Sequence, residues 1–280
     1  HDKESNSTKI FNKEDSDKLI NSLKNKNPTV TNISKKSKKL YPDKLYDLTT
    51  LQRDANALYD FSPKETLSIL QKLYEHHKIL TYPRTDSRYI STDIIPTLRD
   101  RLKAISIGEY KKFASKILNN NIVTNKSFVD NSKVSDHHAI IPTEEYVNLS
   151  NLTSNEIKIY NLVIKKFLSV FFPPYEYEEV KITAKLENEV YICTNNFQIN
   201  LGFKEIFGEE NNEKRFKNIH ENDILQVTSY KQIKEQTSPP KRFTEGSILE
   251  AMENPIKYMD GNNSLNKTLK ETGGLGTVAT

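Results

Sequence analysis

Apolar residues recur at helical spacing through the middle of the chain and give way to alternation towards its C-terminal third. Leu67, Leu70, Leu73 and Tyr74 fall on one side of a predicted helix. Ser62-Pro63-Lys64-Glu65 starts it, reading as a capping box with proline at the first helical position. Thr153 and Glu156 make a second box before a helix over 157–172, which Pro173-Pro174 ends. Residues 14–26 read as a separate amphipathic helix and 29–34 as a strand, whereas helices dominate from 48 to about 169. Beyond Pro174 the pattern predicts strands over 180–186, 190–194, 197–203 and 224–230. Ser238-Pro239-Pro240 marks a boundary, and Thr244 caps a last helix to about Glu253. There is no internal repeat, and the fold class is α+β.

At 280 residues the chain has room for two or three domains. The formal net charge is +4, and residues 1–50 carry all of it; the remainder is balanced. DNA affinity is driven by phosphate neutralisation, so clustered rather than total charge must carry any nucleic-acid binding. The run Lys35-Lys36-Ser37-Lys38-Lys39 fits a solvated strand edge. A single cysteine, Cys193, excludes an internal disulfide and a cysteine-based zinc site. No apolar run reaches the length of a membrane span and no secretory pattern opens the sequence, which sets the expectation of a cytoplasmic protein without a membrane partner. His1 in place of methionine is read as a processed or truncated start.

Chemistry concentrates in Leu80-Thr81-Tyr82-Pro83-Arg84-Thr85-Asp86-Ser87. Proline pushes the residue before it out of the helical region, so Tyr82 should leave the preceding helix in an extended turn. Alternation then places Tyr82, Arg84 and Asp86 on one side. A phenol with a pKa near ~10 needs its anion stabilised to act as a nucleophile. Arg84, always charged, is suited to that or to bracing a phosphate. Spacing alone fits equally a buried tyrosine in a helix-ending turn. By residue type alone, His137 and His138 read as a structural loop pair or a weak metal site, and Asp136-His137 as the sort of pair found in metal hydrolases.

A helix leading into Tyr-Pro-Arg-Thr-Asp-Ser resembles the active-site region of type IA DNA topoisomerases, most closely the topoisomerase III branch. Three further stretches are similar to that family in the same order. They are Leu45-Tyr46-Asp47-Leu48-Thr49-Thr50-Leu51-Gln52-Arg53-Asp54-Ala55-Asn56, then Asp136-His137-His138-Ala139-Ile140-Ile141-Pro142-Thr143, then Phe243-Thr244-Glu245-Gly246-Ser247-Ile248-Leu249 with Gly274-Leu275-Gly276-Thr277-Val278-Ala279-Thr280. The resemblance implies a mostly helical active-site-tyrosine domain inserted into a β-rich hinge domain. On that scheme residues 1–46 are the first hinge segment and 47–173 the tyrosine domain. Residues 174–240 complete the hinge, and 241–280 begin a single-strand-binding domain. Lifting of the tyrosine domain about the hinge would open a gate.

The same resemblance implies Tyr82 as the nucleophile that forms a 5′-phosphotyrosine intermediate, with Arg84 and His137 as its catalytic partners. It implies strand contacts from Gln52, Arg53, Asp86, Ser87, Arg88 and Thr280, and single-stranded DNA as substrate. The activity would be an ATP-independent isomerase reaction. Magnesium would be held by an acidic Asp-x-Asp-x-Glu domain that this sequence lacks, so no metal ligand is expected here. That domain and the C-terminal region would be partners of the same protein, and the chain alone would be inactive. Val278 stands where the family usually has proline. A tyrosine recombinase is disfavoured because Tyr82 comes early and precedes its histidine; a non-catalytic nucleic-acid-binding domain of the same fold is the alternative. An interface for the acidic domain predicts an apolar patch around Tyr82.

Overall fold

The computed structural model describes residues 10–210, 218–258 and 275. In chain order its principal elements are α1 (Lys13–Leu23), β1 (Thr29–Leu40), α2 (Leu48–Tyr59), α3 (Pro63–Glu75), α4 (Leu98–Ala104), α5 (Lys111–Leu118), α6 (Ser154–Ser169), β2 (Tyr175–Leu186), β3 (Glu189–Asn200) and α7 (Glu245–Glu253). Among the described residues there are two compact units. One comprises residues up to 40 with 174–202 and 210–240; the other comprises 41–173, 203–209 and 241 onward. No helix among the described residues is long and apolar enough to cross a membrane.

The first unit is an antiparallel sheet in the order β1-β2-β3. Val30, Val180, Ile182 and Phe197 form its core, with Ile33 and Leu225 packed against them. The lysine run belongs to β1, which continues to Leu40 rather than stopping at Ser34. Lys38 and Lys39 reach across to Glu179 and Glu176, each at 2.6 Å. Such solvated pairs contribute only ~0–1 kcal/mol, so their main effect is to match the register of two charged rows. The strands expected at 190–194 and 197–203 are one strand, because Asn195 and Asn196 stay in the ladder opposite Val180 and Glu179. It ends at Asn200, and Phe203 lies in a 3-10 turn. The strand expected at 224–230 does not form. Ile224 makes one bridge to Thr29, and the Val227 N–H then turns to the Asn27 side chain at 3.0 Å instead of to a ladder.

The second unit is helical, and its first break falls after Leu40 rather than after Tyr46. Leu45 and Tyr46 are buried in it, the Tyr46 carbonyl accepts from Ile140 N–H at 2.8 Å and the Tyr46 hydroxyl donates to Asp54 at 2.5 Å. In α3, Ser62 Oγ accepts from Glu65 N–H at 3.1 Å with Pro63 at the first turn. The reciprocal half of that expected box is not made; Glu65 Oε1 instead faces Asn155 Nδ2 at 3.4 Å. The buried stripe of α3 is Thr66, Ile69, Leu70 and Leu73. Tyr74, assigned to that face by periodicity, is exposed because the stripe is rotated by one position. Gly246 of α7 donates its N–H to Asn56 Oδ1 at 3.1 Å. A Cβ there would lie 2.8 Å from that oxygen, so any larger residue would have to displace the Asn56 side chain that accepts this bond.

Both halves of the Thr153 box are present. Thr153 N–H donates to Glu156 Oε2 at 2.8 Å and Glu156 N–H to Thr153 Oγ1 at 3.3 Å. The helix they start buries Ile159, Tyr160, Val163, Ile164 and Phe167. Thr153→Ala is expected to cost about 1 kcal/mol in urea unfolding. Burial would push the Glu156 carboxyl up, but hydrogen bonds from Thr153 and the nearby His77 and Lys72 more than offset it, leaving it below its ordinary 4.5. Its stabilisation is therefore complete above about pH 4.5 and is lost as pH falls through the lower folded value. Glu156→Gln is expected to flatten that part of the acid limb in a stability–pH series; an unchanged limb would place the effect on other carboxylates.

Candidate active site

The tyrosine segment leaves α3 by a left-handed turn at Lys78, φ 58°. It is then stitched to the histidine segment. Leu80 bridges Pro142, and Thr81 N–H donates to Ile141 O at 3.0 Å. The Thr81 hydroxyl accepts from Ile141 N–H at 3.0 Å and donates to Ala139 O at 3.2 Å. Thr85 Oγ1 donates to His137 O at 2.9 Å, and Leu48 N–H donates to Thr85 O at 3.0 Å. Pro83, Thr85 and Ser87 are buried, whereas Tyr82 and Arg84 are half-buried and Asp86 is exposed. The extended backbone thus turns its threonine and serine side chains inward as braces and leaves the intervening residues towards solvent.

The Tyr82 ring stacks at a tilt on His137, with centroids 4.3 Å apart. It also meets Tyr74 edge-on, with centroids 5.5 Å apart. Beside Tyr82 and His137 lies a pocket of about 340 Å³ whose walls include Asp93, Asn131, Ser135 and His138. The described neighbours of Tyr82 are thus the Tyr74 and His137 rings together with the polar walls of that pocket. His138 Nδ1 lies 2.8 Å from the Ala139 carbonyl, which assigns the proton to Nδ1. Burial pushes the His138 imidazole below its ordinary value; the carbonyl and Asp93 oppose this, while Arg101 and His137 reinforce it.

A family model described as DNA topoisomerase matches residues 1–280. The chain belongs to that family. The DNA topoisomerase 3 of Bacillus cereus strain ATCC 14579 is 52% identical over 283 residues, covering 98% of this chain and 39% of its own length. That of Bacillus subtilis strain 168 is 45% identical over 288 residues, covering 100% of this chain and 40% of its own length. The chain therefore spans about two-fifths of the length of these curated relatives. Full-length topoisomerase I from Thermotoga maritima superposes with a TM-score of 0.66 at 24% identity, over 95% of this chain and 43% of that one. That likeness shows the shared α+β fold, and the relatives' names agree with the topoisomerase III branch read from the motifs.

The other residues expected to serve this topoisomerase family chain have varied positions. Gln52 is buried and its Nε2 donates to Pro63 O at 3.0 Å, a bond that ties α2 to the start of α3. Ser87 is buried and its Oγ donates to Lys133 O at 2.7 Å. Both side chains are largely buried and have internal partners. Arg53 pairs with Glu250 at 3.0 Å, and Arg88 Nε donates to Leu45 O at 3.0 Å. Asp86 accepts from Ser135 Oγ at 3.4 Å. Arg84 makes no hydrogen bond or ion pair with a described residue and is not among the walls of the pocket. Thr280 lies outside the described residues, as does most of its motif; Leu275 N–H donates to Met252 O at 2.7 Å.

Sequence reasoning missed two residues. Tyr74, which periodicity puts on the same side of α3 as Leu70 and Leu73, instead meets Tyr82 edge-on, a contact that spacing along the helix does not signal. Arg101 is 6% exposed and braces the histidine segment from behind. Its Nη1 donates to Pro142 O at 2.7 Å, Nε to Thr97 Oγ1 at 2.8 Å, and Nη2 pairs with Glu144 at 2.8 Å.

Proposed function

We propose that, within a longer protein, this chain supplies the nucleophile of a type IA topoisomerase that cuts and rejoins one strand of single-stranded DNA. Tyr82 Oη attacks a backbone phosphorus; the Oη–P bond forms and the P–O3′ bond breaks. The phenolic proton is lost and the departing 3′ oxygen gains one, leaving a 3′ hydroxyl and a 5′-phosphotyrosine. The new ester retains the energy of the old one, so religation by the reverse path needs no nucleotide triphosphate. Arg84 would stabilise the additional charge on the phosphoryl oxygens, and His137 would hydrogen-bond the phosphate from its place against the Tyr82 ring.

Asp86, Arg53 and Arg88 are carried forward as strand contacts, as is Thr280 from the resemblance; Gln52 and Ser87 are not, since both side chains are buried and bonded internally. Among the described residues no group of three or more His, Cys, Asp or Glu side chains is placed to hold a metal ion. Magnesium and the groups that handle the proton are assigned to an acidic domain outside this sequence, and no step here passes through them. Alone, the chain would form no adduct. A cytoplasmic site of action and a gate formed by movement of the helical unit belong to the same reading.

The observation that carries the reading is a half-buried tyrosine stacked on His137 at the mouth of a polar pocket. The test uses the full-length protein with 5′- or 3′-labelled oligonucleotide and magnesium, denatured after mixing. A Tyr82-dependent adduct on the 5′ phosphate is expected. Strand binding without an adduct would favour a non-catalytic binding domain, and a 3′ linkage would point to another class of tyrosine enzyme.

A further inference from the structure

A second cleft, of about 610 Å³, adjoins Tyr82 and is lined by Tyr74, Glu75, Lys78, His138 and Thr143 but not by His137. Tyr74 is a large aromatic residue left 36% exposed at the end of α3, with one edge or face engaged by Tyr82. Lys78 holds a left-handed backbone, φ 58°, that glycine would adopt without strain. Its carbonyl accepts from Thr143 Oγ1 at 2.6 Å, which fixes that turn. Its side chain is exposed and pairs with no described acid. An exposed aromatic beside an unpaired cation, both next to the nucleophile, is the combination that single-strand sites use to stack a base and hold a phosphate. Glu75 on the same rim disfavours a phosphate near Tyr74, so the base belongs there and the phosphate at Lys78.

We infer that this cleft is a nucleotide subsite for single-stranded DNA, with Tyr74 stacking on a base and Lys78 holding the adjoining phosphate. The inference rests on the reading of the chain as a strand-cleaving topoisomerase and adds to it the position of a nucleotide beside the scissile phosphate. Neither side chain takes part in bond making. Lys78 retains a strained backbone for the sake of its ammonium group.

The test uses the full-length protein with Tyr82→Phe, which separates binding from chemistry. A series of oligonucleotides, each carrying one 2-aminopurine, is titrated while fluorescence and affinity are read. One position is expected to be quenched on binding. Tyr74→Phe should keep that quench, whereas Tyr74→Leu should abolish it and weaken binding by roughly 5- to 150-fold. Lys78→Gly should leave the melting temperature no lower, yet reduce the slope of log affinity against log salt by about one phosphate's worth. A quench that survives Tyr74→Leu, or a salt slope unchanged in Lys78→Gly, would overturn the subsite. Failure of the unaltered protein to form an adduct, with quench and slope behaving as expected, would remove the nucleophile assignment and leave the subsite standing.

Discussion

Tyr82→Phe is expected to lower covalent cleavage by roughly 10⁴- to 10⁶-fold while changing stability by less than about 0.5 kcal/mol. The two effects separate because of how Tyr82 is held. Its hydroxyl hydrogen-bonds no described residue, and its contacts with His137 and Tyr74 are made by the ring, which phenylalanine keeps. The Leu80 bridge and the threonine bonds that position the segment do not involve the phenol. Rapid-quench cleavage and urea unfolding of the same variant measure both sides. Adduct persisting in Tyr82→Phe would move the nucleophile elsewhere, and Tyr74 would be the first tyrosine to examine. A large loss of stability would instead mean that the hydroxyl serves the fold.

Arg101→Ala should act in the opposite way, lowering stability and cleavage together. Removing the guanidinium leaves the buried Pro142 carbonyl without its donor and Glu144 without its partner. A loss of about 2–4 kcal/mol is expected in urea unfolding. Because Pro142 bridges Leu80, the disturbance should pass to both segments of the site, and cleavage at saturating DNA should fall even where the variant is fully folded. Arg101→Lys offers one flexible donor in place of a fork and should lie between. A penalty below about 1 kcal/mol would show that the histidine segment holds its place without this brace.

The features legible from sequence were those whose causes are local. Thr153 and Thr244 set helix starts through bonds within a few residues, and those caps form where the sequence placed them, whereas α6 ends at Ser169 rather than at the expected 172, short of Pro173-Pro174. Pairing across the chain was less legible. Nothing near Asn195 and Asn196 shows that β2 will carry them through the ladder, and nothing near Val227 shows that Asn27 will take its N–H. The projecting alternation of Tyr82, Arg84 and Asp86 followed from Pro83 and the extended segment. The approach of His137 depends on Thr81 and Thr85 reaching distant carbonyls, which spacing does not reveal; only the resemblance named it. Arg101 was hidden for a related reason. Among the cations Arg99, Arg101 and Lys103 none stands out by charge, and burial of Arg101 is decided by the segment packed over it.

The braces around Tyr82 also bear on what DNA must do on arrival. Ordering a residue's backbone costs roughly 1–2 kcal/mol. A loop that became ordered only on its substrate would subtract such a sum for each residue from its affinity. Residues 80–90 already have their turns fixed by bonds from Thr81, Thr85 and Ser87 to the segments around 133–142. Folding of the helical unit has met that entropic requirement, so on the proposed function a strand reaching Tyr82 would meet a side chain whose backbone is already set.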